Sequence, residues 1–174
     1  MTAAMQTIPA SAVAESLDTR ALRSALGQFA TGVTVITTVD RAGAFVGLTA
    51  NSFSALSLAP PLVLWSLREN SPSLPAFEAC ERFVVNVLSE AQVDISRRFA
   101  SPVPEKFDGV AHAENADGIP FLHGAAAWFE CRTVTRQKAG DHVLIIAGVE
   151  RFTSSDQAPL VFHAGGYFGL GSRL

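Results

Sequence analysis

Two almost unbroken apolar runs, Leu62–Leu67 (LVLWSL) and Val143–Val149 (VLIIAGV), most constrain what this chain can fold into. Each is far shorter than the roughly 20 residues of a bilayer-spanning helix. Each follows a turn signal, Pro60-Pro61 in one case and Gly140-Asp141 in the other. Both therefore read as strands, and their lack of alternation predicts burial on both faces. A third segment, Val33–Val39 (VTVITTV), is β-branched throughout, which stiffens χ1 and favours extended backbone.

Further strands are expected at Phe45–Thr49, after a turn at Asp40–Gly43, and in "RFVVNVL", Ala125–Val134, His142–Arg151 and Leu160–His163. Helical spacing occurs in three short places. Leu22, Ala25, Leu26 and Phe29 repeat on one face behind an Asp18 or Thr19 cap, with Gly32 as the stop. "SPSLPAFEAC" offers Ser73 as cap and Pro75 in the first turn. Ser89 and Gln92 form a capping-box pattern for a helix from Glu90 to about Phe99. Ser101–Pro120 reads as a long loop. Strands and helices do not alternate, which argues against a doubly wound parallel sheet. The expectation is a mainly β (α+β) fold, an antiparallel β-barrel with a few peripheral helices.

A length of 174 residues fits one domain. That domain is expected over 18–174, after a flexible segment 1–17 lacking the basic and apolar regions of a signal peptide. The chain is 48% hydrophobic and 17% charged, which argues against disorder and predicts apolar surface buried between subunits. A net charge of −3 without a basic block argues against nucleic acid, and no apolar stretch is long enough to cross a membrane. Cys80 and Cys131 have no CxxC spacing and read as buried thiols of a reducing compartment, so a cytoplasmic location is expected.

Common catalytic signatures are missing. His112, His123, His142 and His163 form no HxH or HExxH, and GxSxG and GxxxxGK[ST] do not occur. What remains is a hydroxyl-rich stretch beside the first apolar run. Thr49, Asn51 and Ser52 stand where a strand passes into a loop, where they suit a flat heteroaromatic ring or a phosphate. A polar turn that satisfies its own backbone would use the same residues. "SLRENSPS" adds Ser66, Asn70, Ser71 and Ser73 at another strand end, and two such ends in one barrel suit a shared ligand-binding mouth. Lys106 is either a point charge for a phosphate or a solvated loop lysine. His142 faces the same mouth if the barrel ends align.

From about Leu22 to Phe168 the chain resembles the short-chain flavin reductases of two-component monooxygenases. The matching segments are "FATGVTVITT", "GLTANSFSALSLAPPLVLWSL", "FVVNVL" with "RRFAS", and "GDHVLIIAGV". The resemblance implies an FMN-binding split barrel that uses NADH or NADPH to reduce FMN or FAD. It implies that Thr49, Ala50, Asn51 and Ser52 hold the flavin ring and ribityl chain, with Ser66 and Leu67 along the isoalloxazine. Ser71, Ala100 and Lys106 would lie near the phosphate. His142, the catalytic candidate, would lie near the nicotinamide, and Tyr167 or Phe168 would flank the nicotinamide or adenine. It further implies a homodimer and a partner oxygenase supplied through diffusible reduced flavin. Direct hydride transfer between two rings needs no protein nucleophile, which accords with the lack of an acid–base pair. Two other readings stay open. One is a split-barrel flavoprotein with permanently bound flavin, acting as electron carrier or sensor. The other is a haem- or small-ligand-binding barrel using His163.

Overall fold

The computed structural model describes residues 17–172, so the flexible segment expected over 1–17 lies, apart from Leu17, outside the described residues. Asp18 opens the first helix. Its carboxylate accepts the N–H groups of Arg20 at 2.8 Å and Ala21 at 3.3 Å, capping α1 (Thr19–Leu26). Strands β1 (Thr31–Gly32), β2 (Thr34–Val39), β3 (Phe45–Ala50), β4 (Ser54–Leu58) and β5 (Pro61–Arg68) follow, then α2 (Leu74–Ala79) and β6 (Arg82–Val87). A 3-10 turn (Glu90–Gln92) leads into α3 (Val93–Ala100). After it come β7 (His112–Glu114), β8 (Pro120–Leu122), β9 (Ala127–Ala139), β10 (His142–Ser154), β11 (Val161–His163) and β12 (Gly166–Phe168).

A 7-stranded sheet, in the order β3-β2-β6-β9-β10-β5-β4, is antiparallel throughout. Smaller sheets, β1-β11-β12 and β7-β8, flank it. The fold is mostly antiparallel sheet with few helices, as the strand-rich pattern predicts. The two edges of the large sheet, β3 and β4, are consecutive in the chain and separated only by residues 51–53.

The β-branched run forms the strand that is covered on both sides. Ile36 packs into one cluster with Trp65, Phe77, Phe83 and Ile145. Its neighbour Val35 packs into a second cluster with Leu88, Phe99, Leu122 and Leu160. Thr34, Thr37 and Thr38 are buried with them, and each hydroxyl is satisfied by a carbonyl. Thr34 donates to Ala50 at 2.7 Å, Thr38 to Arg82 at 2.9 Å, and Thr37 to Pro120.

The two long apolar runs behave differently from expectation. Val63, Trp65, Leu67, Val143, Ile145 and Ala147 are buried, whereas Leu62, Leu64, Leu144 and Ile146 are only half-buried. Ile146 stands opposite Leu64 in the register, so these four share the outer face. Val134, which meets Gly148 on that face, is 64% exposed. These runs are one-sided because no element of the described chain covers the outer face.

Smaller departures have local causes. The first helix stops at Leu26 with Gly27 as cap, not at Gly32, which belongs to β1. Leu22, Leu26 and Phe29 remain exposed. The expected loop over 101–120 contains β7, which Asn86 helps to hold. The Asn86 carboxamide donates to Val35 at 2.9 Å and accepts the Leu122 N–H at 2.7 Å, anchoring the β7–β8 hairpin on the core. Ser73 occupies the N-cap position of α2 without a capping hydrogen bond, whereas the Ser89–Gln92 box forms. No helix among the described residues is long and apolar enough to cross a membrane.

Candidate functional site

Where residues 51–53 join the two edges of the large sheet, a cavity of about 480 Å³ opens. Its walls are the end of β3 with Thr49 and Ala50, the linking Asn51 and Ser52, and the C-terminal end of β5 with Ser66, Leu67 and Arg68. Asn70–Ser73, the end of α3 at Phe99 and Ala100, Ser101-Pro102, Lys106 and His142 complete it. The residues that the sequence offers for the flavin and phosphate therefore meet here with His142, whereas Tyr167, its alternative Phe168 and His163 do not. The strand register explains why. β5 ends where β10 begins, with Arg68 opposite His142 and Ser66 opposite Leu144.

The hydroxyl-rich stretch divides between side chains engaged by the fold and side chains left free. Ser52 Oγ donates to the Ser66 carbonyl and accepts the Ser66 N–H, both at 3.0 Å, replacing a backbone ladder at the seam. Thr49 Oγ1 donates to the Ser96 carbonyl at 2.7 Å, tying β3 to α3. Both hydroxyl protons are thus engaged by the protein. Asn51 is exposed, and no hydrogen bond among the described residues engages its carboxamide. Ser71 Oγ accepts the Ser73 N–H at 3.3 Å and keeps its own proton.

Lys106 is held rather than solvated. Arg98, from "RRFAS", donates through Nε to the Lys106 carbonyl at 2.7 Å and through Nη2 to the Glu105 carbonyl at 2.6 Å, which fixes the loop. Lys106 Nζ donates to the carbonyls of Phe99 at 2.9 Å and Gly47 at 3.2 Å. Gly47 has to be glycine, because a Cβ there would meet the Phe99 ring at 2.6 Å. Burial pushes the Lys106 ammonium below its ordinary pKa. With two of its protons on carbonyls, one N–H is left for an anion in the cavity.

His142 Nδ1 lies 2.8 Å from Asp141 Oδ1. Since the carboxylate can only accept, the bond assigns the proton to Nδ1 and leaves Nε2 as the other functional nitrogen. The hydrogen bond from His142 holds the Asp141 carboxyl below the usual range. Arg68 adds a second cation that sequence reasoning missed, as its only signal was its pairing with His142. Ser101 and Pro102 were missed as well, although they directly follow "RRFA".

Tyr167 lies outside the cavity. Its hydroxyl is 2.9 Å from Ser96 Oγ, its ring is 5.4 Å from that of Phe162, and the Arg97 guanidinium carbon stands 5.7 Å from its centroid. It packs β12 against α3. His163 also lies outside the cavity, with its ring beside Phe168. Among the described residues no cluster of three His, Cys, Asp or Glu side chains is placed to hold a metal. Both cysteines are free thiols. Burial pushes Cys131 up to about 12, while Cys80 is only partly buried.

The model of the family "Flavin reductase like domain" matches residues 26–171. A probable flavin reductase of Rhizobium meliloti strain 1021 is 48% identical over 89% of this chain, which spans 50% of that protein's length. The FMN reductase (NADH) SmoA of Agrobacterium fabrum is 43% identical over 90% of this chain and 88% of its own. Among solved structures, the styrene monooxygenase flavin reductase of Pseudomonas putida S12 superposes with a TM-score of 0.81 at 35% identity, covering 88% of this chain and 99% of that one.

Proposed function

This chain belongs to the flavin reductase like domain family, and from that membership we propose that it reduces FMN or FAD with NADH or NADPH and supplies reduced flavin to a partner oxygenase. The observation that carries the reading is the convergence of Asn51, Ser66, Ser71, Lys106 and His142 on one cavity from four separate segments. The donor set suits a flavin nucleotide. Neutral amide and hydroxyl groups at the β3 and β5 ends match a flat ring with polar edges, and the Lys106 ammonium matches a phosphate.

When bound, the two cofactors supply the chemistry themselves, a direct hydride transfer from nicotinamide to flavin. The protein's task is to hold and orient. Asn51 and the backbone beside it contact the ring, with Ala50, Ser66 and Leu67 forming its wall. Thr49 and Ser52 act one step back, locking α3 and β5 to the seam. Lys106, Ser71 and the Ala100–Ser101 backbone receive the phosphate. His142, oriented by Asp141, positions the nicotinamide through Nε2. Tyr167 supports α3 from behind.

The sheet is read as an FMN-binding split barrel, since consecutive edge strands across a short link favour curling until the edges meet. Residues 18–174 are read as one domain, cytoplasmic and active as a homodimer. The half-buried outer face of β5 and β10 supports the dimer, because an apolar face of this kind needs a cover. Ser66 shares that face with Leu64, so a partner subunit seated there would border the flavin cavity.

The test is oxidation of NADH and NADPH by the purified protein with and without each flavin. Turnover that scales with added flavin is expected. No turnover with any of the four combinations would overturn the reading.

A further inference from the structure

We propose that a second, larger cavity beside the flavin site receives the adenylate half of FAD, so that the dinucleotide is bound in preference to FMN. The proposal rests on the flavin reductase reading above. The second cavity measures about 1040 Å³, against about 480 Å³ for the first. The two share Pro72, Ser73, Ser101, Pro102 and Lys106 as walls, so the Lys106 ammonium stands at their border. A mononucleotide whose phosphate reaches Lys106 ends at that border. FAD continues from that phosphate through a second phosphate and a ribose to a planar base.

The chemistry of the larger cavity fits those groups. Pro72, Pro75, Pro102 and Pro104 line it. Their fixed φ and ring faces make a preformed apolar wall, which lowers the ordering cost of binding. Phe45 also lines it, braced by Phe107 and His112 with ring centroids 5.4 Å away in each case. A planar base can stack on such a fixed ring. Arg41 brings a cation from the β2–β3 turn. The Asp40 carboxylate accepts the N–H groups of Ala42 at 2.8 Å and Ala44 at 2.9 Å, so it is committed to the turn. Arg41 itself is exposed and makes no ion pair among the described residues, which leaves its guanidinium for the second phosphate. Glu78 on α2 supplies an acceptor for ribose hydroxyls or an exocyclic amine. Arg136 fixes that helix by donating to the Phe77 carbonyl at 2.9 Å.

The experiment measures binding by flavin fluorescence quenching with riboflavin, FMN and FAD, using the intact chain. FAD is expected to bind at least about tenfold tighter than FMN, the scale of one charged hydrogen bond. Arg41→Ala should remove about tenfold from FAD and leave FMN unchanged. Ala76→Trp, which points bulk into the larger cavity alone, should erase the preference for FAD. Should Ala76→Trp fail to fold by circular dichroism, Arg41→Ala still decides, since its side chain supports nothing else in the fold. Equal wild-type affinity for FMN and FAD, or equal weakening of both by the variants, would overturn the proposal. So would variants that spare FAD and raise only the KM for NADH, which would assign the cavity to the nicotinamide dinucleotide. Binding of neither flavin would refute the underlying reductase reading instead.

Discussion

Replacing Lys106 separates a phosphate contact from a merely structural lysine. Lys106→Met deletes the ammonium and keeps most of the apolar stem. Two ammonium protons already serve the carbonyls of Phe99 and Gly47. One N–H is therefore left for a phosphate, and a single charged hydrogen bond is worth about 1.5–3 kcal/mol. That range corresponds to roughly 10- to 150-fold in Kd. The side chain is only partly buried and salt screens it, so a loss of about 10- to 30-fold is expected at physiological ionic strength. Riboflavin, which has no phosphate, measures the other contribution, the loss of loop support, and its affinity should hardly change. The pH dependence has a defined sign. Burial depresses the Lys106 pKa, so the charge and the FMN affinity are complete below that depressed value and fall as pH rises through it. Loss of affinity should therefore set in below the ordinary lysine range, with riboflavin flat over the same interval. Titration of FMN and riboflavin into both proteins by flavin fluorescence is the assay. Equal weakening of the two ligands would refute the reasoning and leave Lys106 as a strut between β3 and α3.

His142→Ala should raise the KM for the nicotinamide nucleotide more than that for flavin in steady-state kinetics, and a loss confined to flavin would move His142 to the other ligand. Ser52→Ala orphans the Ser66 N–H and carbonyl and should cost about 1–3 kcal/mol in denaturant unfolding, while an unchanged midpoint would show that water replaces the hydroxyl. Sedimentation equilibrium at low micromolar protein should show a dimer that Leu64→Asp dissociates. A fully active wild-type species near 18.4 kDa would refute that expectation.

Much of the fold was legible because strand period, β-branching and capping are local properties. VTVITTV, the turn closed by Asp40 and the box of Ser89 with Gln92 appear where nearest-neighbour chemistry places them. Most of the cavity lining was legible too, since its residues cluster at strand ends. The sequence did not disclose which of them would be free to bind. The hydroxyls of Thr49 and Ser52 are indistinguishable in the chain from those of Ser66 and Ser71. Only the approach of α3 and β5 commits the first two to carbonyls. Arg68 escaped notice because its place beside His142 depends on the register of β5 against β10, and no local rule encodes the pairing of distant strands. For the same reason LVLWSL and VLIIAGV read as doubly buried. Composition can report that a run is apolar, but which face is covered depends on what the rest of the chain, or a second chain, brings against it.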